Sequence, residues 1–204
     1  MPGSRMLSMS TSDFPPMLSR TGDDYGLLLA VIIAVFLLGI FLARKKIRSA
    51  WLDRKTKRCL KRLGLKQIHR LQCPDGLGDF YTIDRLILTR DGVSLLEYMR
   101  YPGKIFCAEH IDHWTQMLGR KSYRFKNPFY DLECKVRAVE ACIPGVAVQG
   151  YLFFDHLSEF PKGHPGRVIC PDDIPKQLER PKQKNISLEL QAAWKKLQVM
   201  AAGA

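Results

Sequence analysis

Two apolar runs joined by a short polar turn form the clearest pattern in this chain. The first run covers residues 80–88, the second covers 93–99, and the pair Asp91 and Gly92 lies between them. An Asp-Gly pair flanked by apolar runs is a strong signal for a β-hairpin. The pattern therefore predicts two antiparallel strands that follow each other directly in the chain.

Two acidic residues interrupt the apolar pattern of this hairpin. With a two-residue turn, Leu88 would pair with Leu95 and Asp84 with Met99, and side chains two residues apart share a face. Asp84, Glu97 and Met99 would then point the same way, in mainly apolar company. An anion without a partner is costly in such surroundings, so we expect a cation or a proton beside the two carboxylates.

The rest of the pattern alternates strands with helices. Such alternation predicts an α/β or mixed α+β domain, with a central mixed sheet flanked by helices. Its size is sufficient for one core. The further strands are predicted at 67–73, 121–126, 146–154 and 167–170, and the further helices at 109–118, 128–142, 172–178 and 187–200. We expect Asn127 to cap the second of these helices, with Pro128 at its first position.

A long apolar stretch precedes the predicted domain. Gly26 to Ala43 are eighteen residues without a charge, which is roughly enough for a helix to cross the hydrocarbon layer of a bilayer. A cleaved signal peptide fits less well because Asp23 and Asp24 stand where a basic cluster is expected. A buried soluble helix also fits less well, since few helices are apolar all round. The stretch predicts a single transmembrane helix.

Positive charge is concentrated directly after this stretch. Residues 44–70 contain twelve Lys and Arg residues and one acid, whereas residues 71–204 contain eighteen basic and sixteen acidic residues. By the positive-inside rule, the N-terminus would lie outside a bacterial-type inner membrane and the domain in the cytoplasm. The same charges would attract anionic lipid headgroups or the phosphates of nucleic acid. The candidate contacts are Arg44, Lys45, Lys46 and Arg48.

These features divide the chain into five predicted segments. The segments are a disordered extracytoplasmic tail at 1–25, the transmembrane helix at 26–43, a basic juxtamembrane helix and linker at 44–66, the main domain at 67–180, and a linker with a helix at 181–204. All six cysteines follow the apolar stretch, so we expect reduced thiols. None forms a CxxC pair, and we predict neither a zinc site nor a nucleotide cofactor.

Several strings in the main domain resemble one protein family. The strings 83–88, 91–93 and 96–105, which contain both hairpin acids, are similar to the core of the nuclease-related domain (NERD) family. The later Trp-x-Gln and Asn-Pro signatures of that family are matched in order and spacing. The matching signature residues are Gly103, Trp114, Gln116, Asn127 and Pro128.

The resemblance implies a chemistry for the hairpin acids. The family is grouped with the PD-(D/E)xK nuclease fold, a mixed sheet flanked by helices, in which two carboxylates and a main-chain carbonyl hold Mg²⁺. The corresponding ligands here would be Asp84, Glu97 and the carbonyl of Tyr98. Such a site, held near the cytoplasmic face, would cleave phosphodiester bonds of nucleic acid.

One expected group is missing from the motif. The lysine that ends the (D/E)xK triplet orients the attacking water, and here its position is occupied by Met99. Arg100 and Lys104 are the candidate substitutes from neighbouring positions. The two hypotheses are a membrane-anchored nuclease with a displaced cation, and an inactive nuclease-fold scaffold that binds anionic lipid or a protein partner. The sequence leaves both open.

Overall fold

The computed structural model describes residues 21–181 and 185–202. The chain divides into two compact units, Met1–Ala50 and Trp51–Ala204. Residues 1–20 of the tail predicted at 1–25 lie outside the described residues. Residues 21–25, which the sequence predicts to be disordered, are helical.

The described part of the chain forms helices and strands in mixed order. The helices are α1 (Thr21–Lys61), α2 (Phe129–Cys142) and α3 (Leu188–Ala202), with a 3-10 turn at Lys176–Leu178. The strands are β1 (Lys66–Pro74), β2 (Phe80–Leu88), β3 (Val93–Met99), β4 (Gly103–Phe106), β5 (His113–Leu118), β6 (Lys121–Lys126), β7 (Val148–Phe154), β8 (Ser158–Glu159) and β9 (Val168–Ile169). The chain therefore has the mixed α/β composition that the sequence predicts.

The described part of the first unit, from residue 21 to residue 50, is the N-terminal part of α1. Within it, the large apolar side chains from Leu28 to Leu42 are exposed. By length and composition, α1 can cross a membrane. The predicted segment from Gly26 to Ala43 lies wholly within this helix.

The second unit contains two mixed sheets. The larger sheet has the strand order β1-β2-β3-β7-β9. Its first three strands form an antiparallel meander, and β3, β7 and β9 run parallel to one another. The smaller sheet has the order β6-β5-β4-β8, with β8 parallel to β4 and the other pairs antiparallel.

Apolar side chains cover both faces of the larger sheet. Leu95 packs with α2 and α3 in one core cluster, whereas its neighbour Leu96 packs with the end of α1 in another. This alternation follows from the two-residue period of a strand. α3, which the sequence places in a segment beyond the main domain, contributes Trp194 and Leu197 to the first cluster.

The predicted hairpin is present, but its predicted register is wrong. Leu88 pairs with Val93 and Leu86 with Leu95, two residues away from the predicted pairing. The turn contains four residues, because the main-chain N–H and the Oγ1 hydroxyl of Thr89 both donate to the carbonyl of Gly92, at 3.0 and 2.9 Å. These bonds close the longer loop in place of a two-residue turn.

The helix predicted at 109–118 is wrong, since β5 occupies residues 113–118. In β5, Trp114 and Gln116 are buried while the intervening Thr115 is partly exposed, which is a strand period. The helix predicted at 172–178 is reduced to the 3-10 turn, where Pro175 precedes the turn with an extended backbone. Pro175 has no N–H to donate within a longer helix.

Candidate active site

The two hairpin acids meet where the larger sheet divides. β1 pairs with β2 from Lys66 to Pro74, with one gap at Arg70 opposite Asp84, and β3 pairs with β7 as far as Met99. The ladder between β2 and β3, however, ends at the pair Arg85 and Leu96. Asp84 and Glu97 are the next residue on each strand, so they lie side by side at this fork.

Carboxylates replace the missing ladder bonds at the fork. Asp84 Oδ2 accepts a hydrogen bond from the main-chain N–H of Tyr98 at 3.0 Å. Glu97 Oε1 accepts a longer one from the main-chain N–H of Asp84 at 3.4 Å. Each carboxylate thus binds the main chain of the neighbouring strand, Asp84 that of β3 and Glu97 that of β2. The structure therefore brings the two predicted residues together.

A lysine that the sequence motif does not reveal completes the cluster. Lys135, on α2, places its Nζ 2.9 Å from Glu97 Oε2 and 2.9 Å from Asp131 Oδ2. The side chains of Lys135 and Glu97 are only 14% and 10% exposed. The one sequence signal for this lysine is its position beside the buried stripe of α2, four residues after Asp131.

Burial and pairing act in opposite directions on the charges of this cluster. Burial raises the pKa of Glu97, while the hydrogen bond and charge of Lys135 oppose that rise. Burial alone would lower the pKa of Lys135, but the hydrogen bonds that it donates to Asp131 and Glu97 outweigh burial and raise this pKa above its usual value. Lys135 is therefore a cation at neutral pH, fixed beside Glu97.

Arg100 and Lys104, the candidate substitutes for the missing lysine, do not pair with the two acids of the described fork. The Arg100 guanidinium carbon lies 5.2 Å from the centre of the Tyr98 ring, and Lys104 is an exposed residue of β4. Within residues 21–181 and 185–202, no ion pair joins either of them to the two acids. Met99 is half-buried and packs against the apolar core, so its side chain contributes no charge to the site.

The oxygen donors of the fork suit a hard divalent cation. Asp84 is exposed, and its Oδ1 atom accepts no hydrogen bond from the part of the chain that the structure describes. The same part contains no group of three or more His, Cys, Asp or Glu side chains that could hold a metal. A magnesium ion needs few carboxylates, because it retains several waters. Carboxylate and carbonyl oxygens are the kind of donor that such an ion accepts.

Two of the signature residues attach the smaller sheet to the core. Trp114 is fully buried, and its Nε1 donates to the carbonyl of Ala108 at 3.0 Å. Its ring stacks on Phe154 with a centroid distance of 6.2 Å. Gln116 Nε2 donates to the carbonyl of Pro102 at 2.7 Å. These contacts hold β5 against the segment that follows the fork.

Asn127 connects a loop to the start of α2. Its Nδ2 donates to the carbonyls of Glu109 and Ile111, each at 2.9 Å, and its Oδ1 accepts from the N–H of Phe129 at 3.0 Å. The helix begins at Phe129, and Pro128 occupies the position directly before it. The expected capping bond is present, although the helix starts one residue later than predicted. These contacts fix the start of α2, the helix that carries Lys135.

Gly103 is required by its backbone and by its surroundings. Its φ is +91°, and a Cβ atom there would lie 2.5 Å from the carbonyl oxygen of Met117. We expect Gly103→Ala to lower the free energy of unfolding by about 2 to 3 kcal/mol, through backbone strain and steric overlap. Gly119→Ala is the matched control, since Gly119 also has a positive φ but no atom near its Cβ position. Urea denaturation that gives equal losses for both variants would contradict the role of the Met117 contact.

The predicted lipid or phosphate contacts lie on α1 in the first unit. Arg44, Lys46 and Arg48 have exposed side chains, and the side chain of Lys45 is outside the described residues. Their exposure leaves them accessible to anions, and their binding partner stays a prediction.

The fold and the fork define an α/β domain with a carboxylate and lysine cluster at a divided sheet. The model of the nuclease-related domain family matches residues 48–155, which is more than half of the chain. The chain therefore belongs to the nuclease-related domain family, and its membership indicates a nuclease-related function.

Comparison with other proteins adds one relative. An uncharacterized protein of Bacillus anthracis is 31% identical over 91 residues, which cover 43% of this chain and 43% of that relative. The chain thus spans less than half the length of the relative it matches. No solved structure shows a significant match.

Proposed function

We propose that this chain is a membrane-anchored, divalent-metal-dependent phosphodiesterase that acts on nucleic acid, with a PD-(D/E)xK-type site at the fork of β2 and β3. Asp84, Glu97 and the carbonyl of Tyr98 would hold the metal. Lys135 supplies the cation that the motif lacks at Met99. The observation that carries this proposal is the distance of 2.9 Å between Lys135 Nζ and Glu97 Oε2.

The position of Lys135 suits the task of the lost triplet lysine. That lysine must lie beside the acidic residue of the triplet, because it orients the attacking water and offsets negative charge on the phosphoryl group. Lys135 reaches the same carboxylate from α2, and its raised pKa maintains its charge. A fixed cation in a partly buried site stabilises developing charge more strongly than one in water.

The remaining residues of the site have supporting roles. Asp131 accepts the second hydrogen bond of Lys135 and so holds the ammonium in one place. Asp84 is the exposed member of the pair and leaves one oxygen free toward solvent. A bound Mg²⁺ would supply Lewis acidity to a phosphoryl oxygen and lower the pKa of a water molecule.

The membrane part of the proposal rests on α1. The helix has the length and apolar composition of a membrane span, and the charge that follows its apolar part is strongly positive. By the positive-inside rule, we infer a single pass with the N-terminus outside and the domain at the cytoplasmic face of a bacterial-type inner membrane. Anionic headgroups are then the natural partners of Arg44, Lys45, Lys46 and Arg48.

Cleavage by the full-length protein tests the proposed activity. The protein in a non-ionic detergent is incubated with single- and double-stranded DNA and RNA, in Mg²⁺, Mn²⁺ or EDTA. We expect cleavage of at least one substrate with metal, and its loss in Asp84→Asn and Glu97→Gln. Asp79→Asn is the matched control, since Asp79 is an exposed acid outside the fork. Absence of cleavage under every condition would overturn the proposal.

One observation favours an inactive scaffold as the second candidate. Both acids that bind Lys135, Glu97 and Asp131, could form with it a purely structural ion-pair network. In that case the domain would bind anionic lipid or a protein partner without cleaving nucleic acid. The cleavage assay described above separates the two candidates, because a scaffold shows no metal-dependent cleavage even in the wild type.

A further inference from the structure

A basic cleft lies in the second unit between the last turns of α1 and the segment 171–180. Its volume is about 570 Å³. Ligand pockets in proteins typically measure about 300 to 1,000 Å³, so the cleft has room for a small molecule. The cationic residues that line it are Lys55, Arg58, Lys61, Arg62 and Arg180, and Glu179 is the one carboxylate in its described lining.

Contacts between the two walls hold the cleft open in one shape. The main-chain N–H of Gly64 donates to the carbonyl of Leu178 at 2.9 Å. Leu63 and Glu179 form an isolated antiparallel bridge. Because Leu63 and Leu178 are almost fully buried, these contacts belong to the core of the unit and not to a loose surface. The two walls of the cleft are therefore held by contacts of the core.

Most of the positive charge in the cleft is not neutralised. Lys55 pairs with Asp172 at 2.7 Å, at the edge of the cleft. Among the residues that the structure describes, the other four cations form no ion pair. Like charges gathered around one concave surface repel one another and concentrate anions from solution. An anion with several charges would relieve this repulsion.

The helix dipole explains only part of the arrangement. Basic residues in the last turn of a helix, such as Arg58 and Lys61, are favoured by the negative end of the helix dipole. Arg180, however, belongs to the opposite wall of the cleft, after the single 3-10 turn at Lys176–Leu178, so the dipole of α1 does not account for its position. Its position across from Arg62 adds a second planar set of donors, and arginine matches the geometry of phosphate oxygens.

We propose that this cleft binds a phosphate-bearing anion, either a free diphosphate or triphosphate or the headgroup of an anionic phospholipid. Arg58, Arg62 and Arg180 contact its phosphate oxygens. Ile174 and Pro171, which also line the cleft, contact its less polar part.

The cleft is separate from the fork of β2 and β3. Leu60, Leu63 and Leu178 pack in the cluster on the α1 face of the larger sheet, whereas α2, which carries Lys135, packs on the other face. Binding in the cleft can therefore be tested without divalent metal and without nucleic acid. A failure in the cleft leaves the proposed phosphodiesterase unaffected, and the reverse also holds.

Calorimetry with soluble phosphates tests whether the cleft binds a free diphosphate or triphosphate. The full-length protein in phosphatidylcholine nanodiscs is titrated with pyrophosphate and with ATP in the presence of EDTA. Loss of two charged hydrogen bonds should weaken binding at least about tenfold in Arg62→Gln/Arg180→Gln. The control Arg120→Gln/Arg124→Gln removes the same charge from exposed residues of the β5 to β6 hairpin and should bind as the wild type does.

Protection of Cys59 from maleimide labelling tests whether the ligand is the headgroup of an anionic phospholipid. Cys59 lines the cleft and is half-buried, whereas Cys134 is exposed and serves as the reference. Burial raises the pKa of the Cys59 thiol, so maleimide labelling is run at alkaline pH and followed by mass spectrometry. Phosphatidylglycerol nanodiscs should slow labelling of Cys59 relative to Cys134 if the ligand is a headgroup, and ATP should do so if it is free.

Protection of Cys59 by ATP or by phosphatidylglycerol nanodiscs supports the proposal if Arg62→Gln/Arg180→Gln weakens binding or loses this protection. The control variant must keep both. The proposal is overturned if neither soluble phosphates nor anionic nanodiscs bind or protect. It is also overturned if the cleft variant and the control variant respond equally, because the effect would then be one of net charge.

Discussion

Lys135→Met should lower the rate of metal-dependent cleavage by about 10²- to 10³-fold, while Lys104→Met leaves it unchanged. Removing one preorganised group that stabilises developing charge typically has an effect of this size. Lys135 lies 2.9 Å from Glu97, whereas Lys104 is an exposed residue of β4 without an ion pair to either acid in the described chain. Single-turnover cleavage with saturating enzyme measures the chemical step for both variants.

Restoring the motif provides the opposite experiment. Met99→Lys combined with Lys135→Met moves the cation back to the third position of the triplet, on the same strand as Glu97. If Lys135 replaces the lost lysine, the double variant should recover a large part of the rate that Lys135→Met loses. Equal rates for the wild type and Lys135→Met would exclude Lys135 from the chemistry, even if the protein cleaves nucleic acid.

The sequence pattern was sufficient for those features that depend on neighbouring residues. The two strands around Asp91 and Gly92 are present because alternating apolar residues and turn residues are local signals. The two-residue error in the register has an equally local origin. The hydrogen bonds of Thr89 to Gly92 lengthen the turn, and an Asp-Gly pair does not specify the total length of the loop that contains it.

Features that depend on tertiary contacts were not predicted. The sequence predicts a helix where β5 lies, since a single strand of six residues with Trp114 and Gln116 inward has little pattern of its own. Its conformation depends on pairing with β4 and β6. Lys135 was missed for a similar reason. The motif lies on the strand that carries Glu97, whereas Lys135 is 38 residues later in the chain.

The position of Lys135 changes how the substitution at Met99 is interpreted. In the triplet, the lysine would occupy a half-buried place on β3 that now packs Met99 against the apolar core. A lysine on α2 reaches the same carboxylate without interrupting that packing, and Asp131 holds its second hydrogen bond. A methionine in the motif is therefore compatible with an intact charge pattern at the fork.

Lys135→Met should also destabilise the protein by about 3 kcal/mol near pH 8, and this loss should shrink as the pH falls. Breaking a buried ion pair from one side leaves an uncompensated charge, which commonly costs 3 to 5 kcal/mol. Without Lys135, burial and the charge of Asp84 raise the pKa of Glu97 further, and only the weaker hydrogen bond from the main-chain N–H of Asp84 lowers it. Urea denaturation of the full-length protein, followed by the fluorescence of the buried Trp114 and Trp194, measures the difference from wild type at each pH.

The direction of the pH effect follows from proton uptake. In the variant, the folded protein binds a proton at Glu97 at a higher pH than the unfolded chain does, so its stability increases as the pH falls through the folded pKa toward the ordinary value of about 4.3. In the wild type, the contribution of Lys135 is fully present below the unfolded pKa of about 10.4 and is lost only above it. The difference between the two proteins is therefore largest at pH values above the folded pKa of Glu97 in the variant and below about 10.4.

Glu97→Gln/Lys135→Met is the matched control for this experiment. It removes the buried charge together with its partner, so it should be more stable than Lys135→Met at pH 8 and should lack the recovery in acid. If the single and double variants lose the same stability at every pH, the carboxylate of Glu97 is solvated well enough to need no cation. In that case Lys135 would not stabilise the fold through its pairing with Glu97.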